Sequence, residues 1–178
     1  MHNLDIYRVK SSSLRTRKPR NIIINHTVDL LKNINKIEPK LTFDDRTMMF
    51  QSVVNLSYEN IDKYRFMSHY FIEQIGNSTI GIVGTGIETF SPFLEKYADS
   101  VYKNDILITL AGDYSLDLPT QEIYQRLGQI ISSVMYENNL TGYNKIVMFD
   151  DIKKKDKNVK SVKMSNFDFI LLKPYIHS

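Results

Sequence analysis

The segment from Pro119 to Gly142 sets the tightest limit on the fold. Within it Ile123, Leu127, Ile130 and Val134 recur at i, i+4, i+7 and i+11, flanked by Ile131 and Met135. That spacing predicts a helix entered at Pro119 whose single apolar stripe must pack against a neighbour. Runs of strand character lie on both sides, Val101 to Leu110 before the helix and Lys145 to Phe149 after it. Strand, helix and strand in that order predict a parallel crossover.

The rest of the chain extends the alternation. Thr47 to Val54 has strand character, and Ser57 is placed to cap a helix with the stripe Ile61, Tyr64, Ser68, Phe71 and Ile75. Gly76-Asn77 ends that helix, and Thr79 to Val83 follows as a second strand, apolar on both faces as central strands are. Ser91 and Pro92 predict the cap and first residue of a short helix, with Phe93, Leu94 and Tyr97 facing inward. Asp150 to Asn158 is expected to be a charged hairpin tip between the arms Val159 to Met164 and Phe167 to Leu172.

Upstream, the pattern from Ile22 to Ile37 predicts an amphipathic helix. Ile23, Leu30, Ile34 and Ile37, joined by Ile24, Val28 and Leu31, make a wide stripe that ends before Pro39. The expected class is α/β: three layers, a mostly parallel sheet with flanking helices, an edge hairpin and this N-terminal amphipathic helix. Two parts are expected, a basic arm with the amphipathic helix over residues 1–44 and an α/β domain over 45–178.

Composition narrows the chemistry. With 178 residues, 42% of them hydrophobic, the chain is able to bury a core without staples. It has no cysteine, which excludes disulfides, thiolate metal sites and cysteine nucleophiles, and points to a reducing compartment. No run reaches the ~18–20 apolar residues that span a bilayer, and the N-terminus lacks the apolar segment of a secretory signal. A cytoplasmic location is expected, with any contact at the inner face of the membrane only indirect, through a complex. The net charge of +3 has its excess in Arg8 to Arg20 and Lys153 to Lys163. Short basic clusters of this kind are more often solvated arms or tips than nucleic-acid sites.

Each motif with catalytic or ligand-binding potential lacks a partner residue. Gly84-Thr85-Gly86 follows a strand, but the third glycine of a dinucleotide fingerprint is replaced by Thr89, and no Walker lysine follows. Asp105, the nearest carboxylate for a ribose, stands before its apolar run rather than at its end. Asp113-x-Ser115-x-Asp117 starts like a calcium loop, yet no glycine occupies position 6 and no glutamate position 12. Asp150-Asp151 follows a strand end, where Lys153, Lys154 and Lys155 would neutralise it. His2, His26, His69 and His177 are scattered, without metal-ligand spacing. No catalytic residue, cofactor-binding residue or metal ligand is assigned, and no cofactor is expected.

Taken in order, the elements over residues 45–174 resemble the globular domain of the γ subunit of F1-type ATPases. The segment Ile80-Gly81-Ile82-Val83-Gly84-Thr85-Gly86-Ile87-Glu88-Thr89-Phe90 stands where that family has a strand ending in an Ile-Gly-x-x-Gly turn. Ile108 to Gly112, the helix from Pro119, the strand Lys145 to Phe149 and the run Leu171-Leu172-Lys173-Pro174 continue the match. Two departures stand out: Val54-Asn55-Leu56-Ser57-Tyr58 replaces the family's glycine-rich turn, and its long C-terminal helix has no counterpart after Pro174.

The resemblance implies a γ-like, Rossmann-type domain acting as a non-catalytic central-stalk or rotor subunit. It would couple or anchor an ATPase hexamer, with ATPase α- and β-like chains as partners and a further stalk subunit supplying the missing helix. The residues expected to meet those partners are Arg15, Arg17, Lys18 and Arg20 of the arm, and Ile23, Leu30, Ile34 and Ile37 of the stripe. Two other readings stay open: a small α/β nucleotide binder or enzyme using the Gly84–Gly86 turn, and a nucleic-acid-binding domain using the arm with Lys153 to Lys160.

Overall fold

The run Ile22-Ile23-Ile24 forms the middle of the fold, and all three side chains are fully buried. β-branched residues are stiff and pack well on a pleated surface, so a strand flanked on both sides and both faces suits them. The computed structural model describes residues 14–27, 68–75, 78–83, 88–159 and 161–177. Its strands are β1 (Ile22–His26), β2 (Tyr70–Ile75), β3 (Ser78–Val83), β4 (Ile106–Leu110) and β5 (Ile146–Met148). Its helices are α1 (Pro92–Tyr97), α2 (Gln121–Glu137) and α3 (Phe169–Leu172).

The described strands make one sheet in the order β3-β2-β4-β1-β5. β1 pairs in parallel with β4, Ile22 opposite Ile106, and with β5, Ile22 opposite Ile146. β2 is parallel to β4, and β3 lies antiparallel to β2 at the edge. This is the α/β fold with a small, mostly parallel sheet that the alternating pattern predicts.

Side-chain alternation divides the core. Ile22 and Ile24 of β1, Ile106, Ile108 and Leu110 of β4, and Ile146 of β5 face α2, where Ile123, Leu127, Ile131, Val134 and Met135 complete one cluster. Leu172 and Ile176 join it from the C-terminal segment. Ile23, Leu107 and Thr109 alternate onto the other face, all buried. Phe93 and Leu94 of α1 are buried outside the first cluster, with Phe93 packed on Phe149 at 5.1 Å between ring centroids.

The helix signals act as their chemistry requires. The Ser91 side chain accepts from Leu94 N–H at 3.2 Å, and Pro92 is the first residue of α1. Thr120 caps α2 by accepting from Ile123 N–H at 3.3 Å. The chain after α2 turns at Gly142, whose φ of 90° suits a residue without a Cβ. Packing of the C-terminal segment on α2 depends on Gly128. A Cβ there would lie 2.4 Å from the Tyr175 Cβ and 2.6 Å from its carbonyl oxygen.

Three sequence expectations are corrected. The N-terminal amphipathic helix begins instead as β1, because Ile22, Ile23 and Ile24 are all covered by neighbouring strands and layers, leaving no exposed stripe. Leu30, Ile34 and Ile37 lie outside the described residues, as do Thr47 to Val54 and the domain boundary expected at residue 45. The helix expected to end at Ile75 is strand β2 over its last six residues, paired with β3. The edge hairpin is therefore β2–β3. The segment from 161 to 168 has no strand, and Phe169–Leu172 is helical, with the Asp168 carboxylate accepting from Ile170 N–H at 2.9 Å.

Candidate functional site

In a parallel sheet with helices on its faces, the ligand side is the carboxyl edge, near the strand where connections diverge. Here that strand is β1: β2 and β4 lie to one side of it and β5 to the other. Its apolar run ends in Asn25-His26-Thr27, three polar residues that are all buried. Such a triplet directly after a fully apolar run marks the edge in the sequence, a signal that motif spacings do not contain.

His26 and Thr27 are tied into the neighbouring loops. Tyr114 N–H donates to His26 Nδ1 at 3.1 Å, which leaves the ring proton on Nε2, donated in turn to the Val162 carbonyl at 2.7 Å. Thr27 Oγ1 accepts from Gly112 N–H at 2.9 Å, while Thr27 N–H donates to the Leu110 carbonyl at 3.0 Å. These bonds fix the loop after β4 against the end of β1.

Asn25 points to the opposite face from Ile24 and His26. It is 5% exposed, lies beside Thr109 in the register, and Thr109 in turn lies beside Phe71. Thr109 shares a hydroxyl–hydroxyl hydrogen bond with Ser68, and both residues are fully buried. The Asn25 carboxamide has no hydrogen-bond partner among the described residues. This row of polar groups on an otherwise apolar face is the candidate site.

His69, near the amino end of β2, is also engaged at both nitrogens. Leu107 N–H donates to Nδ1 at 3.0 Å, and Nε2–H donates to the Thr89 carbonyl at 2.8 Å. Complete burial pushes its pKa down to about 3; the Thr89 carbonyl opposes this and the Arg15 guanidinium adds to it. His69 is therefore a neutral structural histidine.

The arm residues divide between the body and the surface. Arg15 donates to the Asn104 carbonyl at 2.7 Å and to the Thr89 carbonyl at 3.3 Å. Arg17 donates to the Val101 carbonyl at 2.6 Å and pairs with the Asp105 carboxylate at 3.3 Å. Lys18 is exposed, and Arg20, also exposed, uses its backbone N–H on Asp105 at 2.9 Å. Asp105 also accepts from the Asn21 backbone and side chain, so this fully buried carboxylate fastens the segment before β1 to the start of β4. It sits at the amino edge, away from the candidate site. Ile23, expected to meet a partner helix, is enclosed in this chain's own core.

The other motifs prove to be local structure. Asp113 accepts from Ser115 N–H at 3.0 Å and shapes a turn. Lys154 donates to the Phe149 and Ile152 carbonyls at 2.6 and 2.7 Å, closing the turn that carries Asp150 and Asp151. Gly84 to Gly86 and His2 lie outside the described residues. Among the described residues no group of three or more His, Asp or Glu side chains is placed to hold a metal ion, and no helix is long and apolar enough to cross a membrane.

No family model and no curated protein matches the chain. Solved structures do. Drosophila PGRP-LB aligns over 96% of this chain and 90% of its own, with a TM-score of 0.61 and 14% identity. The N-acetylmuramoyl-L-alanine amidase LysC from Clostridium intestinale aligns over 93% and 94%, at 0.57 and 16%. Human PGRP-IBETAC, solved in complex with glycosamyl muramyl pentapeptide, aligns over 80% of each chain, at 0.57 and 15%.

These likenesses overturn the resemblance to the F1 γ subunit. The central-stalk and rotor role falls with it, as do the ATPase α- and β-like partners and the further stalk subunit. The nucleotide-binding and nucleic-acid readings gain no support from these structures either. The γ-like match rested on element order and short glycine turns, which many α/β folds share.

Proposed function

We propose that this chain is a non-catalytic binding module for peptidoglycan fragments, a muramyl peptide being the ligand class. The observation that carries the reading is the state of His26. It stands at the carboxyl edge of the central strand, where an acid–base group or metal ligand would be useful, yet Tyr114 and Val162 occupy both its nitrogens. Catalysis by His26 would require breaking one of these bonds, each made to backbone that holds a loop in place.

The ligand class is drawn from the fold likeness, which takes in one structure with a muramyl pentapeptide bound. The amidase among the similar structures supplies the competing outcome, hydrolysis.

The test is calorimetric titration of the full chain with a soluble muramyl pentapeptide, followed by mass spectrometry of the recovered ligand. Binding with the ligand recovered intact is the expected result. Release of the peptide from the muramyl group would overturn the non-catalytic half. No heat and no ligand-detected NMR effect at millimolar concentration would overturn the reading altogether.

A further inference from the structure

We propose that the Asn25 carboxamide is the polar contact that selects the ligand at this edge, recognising an uncharged amide or hydroxyl group. The proposal rests on the reading of the chain as a muramyl-peptide module, and it deepens that reading by naming the residue and the chemistry it accepts.

Four observations point to Asn25. It is 5% exposed, so nine-tenths or more of the residue is removed from water. Its carboxamide, with two donors and an acceptor, makes no hydrogen bond to another described residue, which leaves those groups for a ligand. It occupies the carboxyl end of the strand at which the sheet connections diverge. Its register neighbour Thr109 is already engaged with Ser68, so the Thr109 hydroxyl is held in place rather than turned to Asn25.

The chemistry of the ligand follows from the group. A carboxamide carries no net charge, and it offers a donor and an acceptor side by side. It therefore pairs on both sides with another amide or with a hydroxyl, giving and accepting at once, whereas a carboxylate or phosphate would use its N–H donors alone and leave its oxygen unmatched. Acetamido groups, peptide bonds and sugar hydroxyls are the matching groups of a muramyl peptide. Phe71, buried in the same row, supplies an apolar neighbour.

A residue kept for binding leaves a signature that a structural residue does not. Replacing an amide that bonds no other described residue with an apolar side chain should leave the unliganded fold as stable or more stable. The experiment therefore measures thermal midpoints and muramyl-pentapeptide affinity for the wild type, Asn25→Val and Asn25→Ala. We expect both variants to melt at or a few degrees above the wild type and to bind about tenfold more weakly or worse. Alanine covers the case in which valine overfills the site.

Wild-type binding with unchanged affinity in both variants would overturn the role of Asn25 and leave the module reading intact. A fall of several degrees in both variants would make Asn25 a structural residue and also overturn the proposal. Absence of binding by the wild type would end both.

Discussion

Gly128→Ala tests the most demanding close approach in the fold. In an open helix interior, alanine is preferred to glycine by about 1 kcal/mol. Here the new Cβ would sit 2.4 Å from the Tyr175 Cβ, 2.6 Å from its carbonyl oxygen and 2.8 Å from its carbonyl carbon. Carbon pairs settle at about 3.5–4.0 Å, so the C-terminal segment must retreat by roughly 1 Å. Its backbone is what stands in the way, and a rotamer change cannot relieve the clash.

Retreat would stretch the bond from His177 N–H to Ser132 Oγ, now 2.8 Å, and would loosen Leu172 and Ile176 in the core. Overpacking costs about 1–3 kcal/mol and a weakened hydrogen bond about 0.5–1.5 kcal/mol. Against these stands the gain of about 1 kcal/mol in helix propensity, so the net loss should be about 0.5–3.5 kcal/mol. With a urea m-value of about 2 kcal/mol/M, the midpoint should fall by roughly 0.3–1.8 M. A midpoint that stays put or rises would refute the packing argument. As an internal control, the same substitution in a chain ending at Pro174 should reverse sign and stabilise.

Other outcomes follow from the buried polar groups. Asp105→Ala removes a fully buried carboxylate that accepts from Arg17, Arg20 and Asn21, leaving the guanidinium and amides without their acceptor. A loss of about 3–5 kcal/mol in urea unfolding is expected, and a loss below about 1 kcal/mol would refute the tie. His69 has a folded pKa depressed from 6.5 to about 3. Its contribution is thus complete above pH ~6.5 and is lost as the pH falls toward 3, because the unfolded chain takes up the proton first. The slope from this one group is at most about 1.4 kcal/mol per pH unit. His69→Gln should flatten the stability profile between pH 6 and 3 relative to wild type, and an unchanged acid limb would show that His69 does not titrate as described.

Much of the fold was legible where one periodicity had no rival. The stripe of α2 fits only a helix, and Ser91-Pro92 marks the entry of α1 by capping chemistry alone. Isoleucines 22 to 24 were harder. A central strand buried on both faces reads as a continuous apolar run, and the apolar residues that follow it, from Val28 to Ile37, happen to fall at helical spacing.

The β2–β3 hairpin left a usable signal. Gly76-Asn77 separates the strands by two residues, a pair suited to tight hairpin loops. The same pair also suits a helix stop, because Ile61, Tyr64, Ser68, Phe71 and Ile75 match a helix period. The candidate site was less legible still. Asn25 and Thr109 are distant in sequence, and only the parallel register of β1 and β4 makes them neighbours. The engagement of His26 depends on a loop carbonyl at Val162 that no sequence pattern announces.

The position of β1 has a consequence for how the protein is made. Ile22, Ile23 and Ile24 leave the ribosome well before their pairing partners on β4 and β5, around residues 106 and 146. Until then a run of isoleucines with high β-propensity has no native neighbour, and the most central strand of the finished sheet is the one that must wait. Contacts of such high contact order slow folding and prolong the exposure of strand edges. Chaperone capture of the nascent chain should therefore centre on residues 22–26, and adding a lysine within that run should trade native stability for solubility during synthesis.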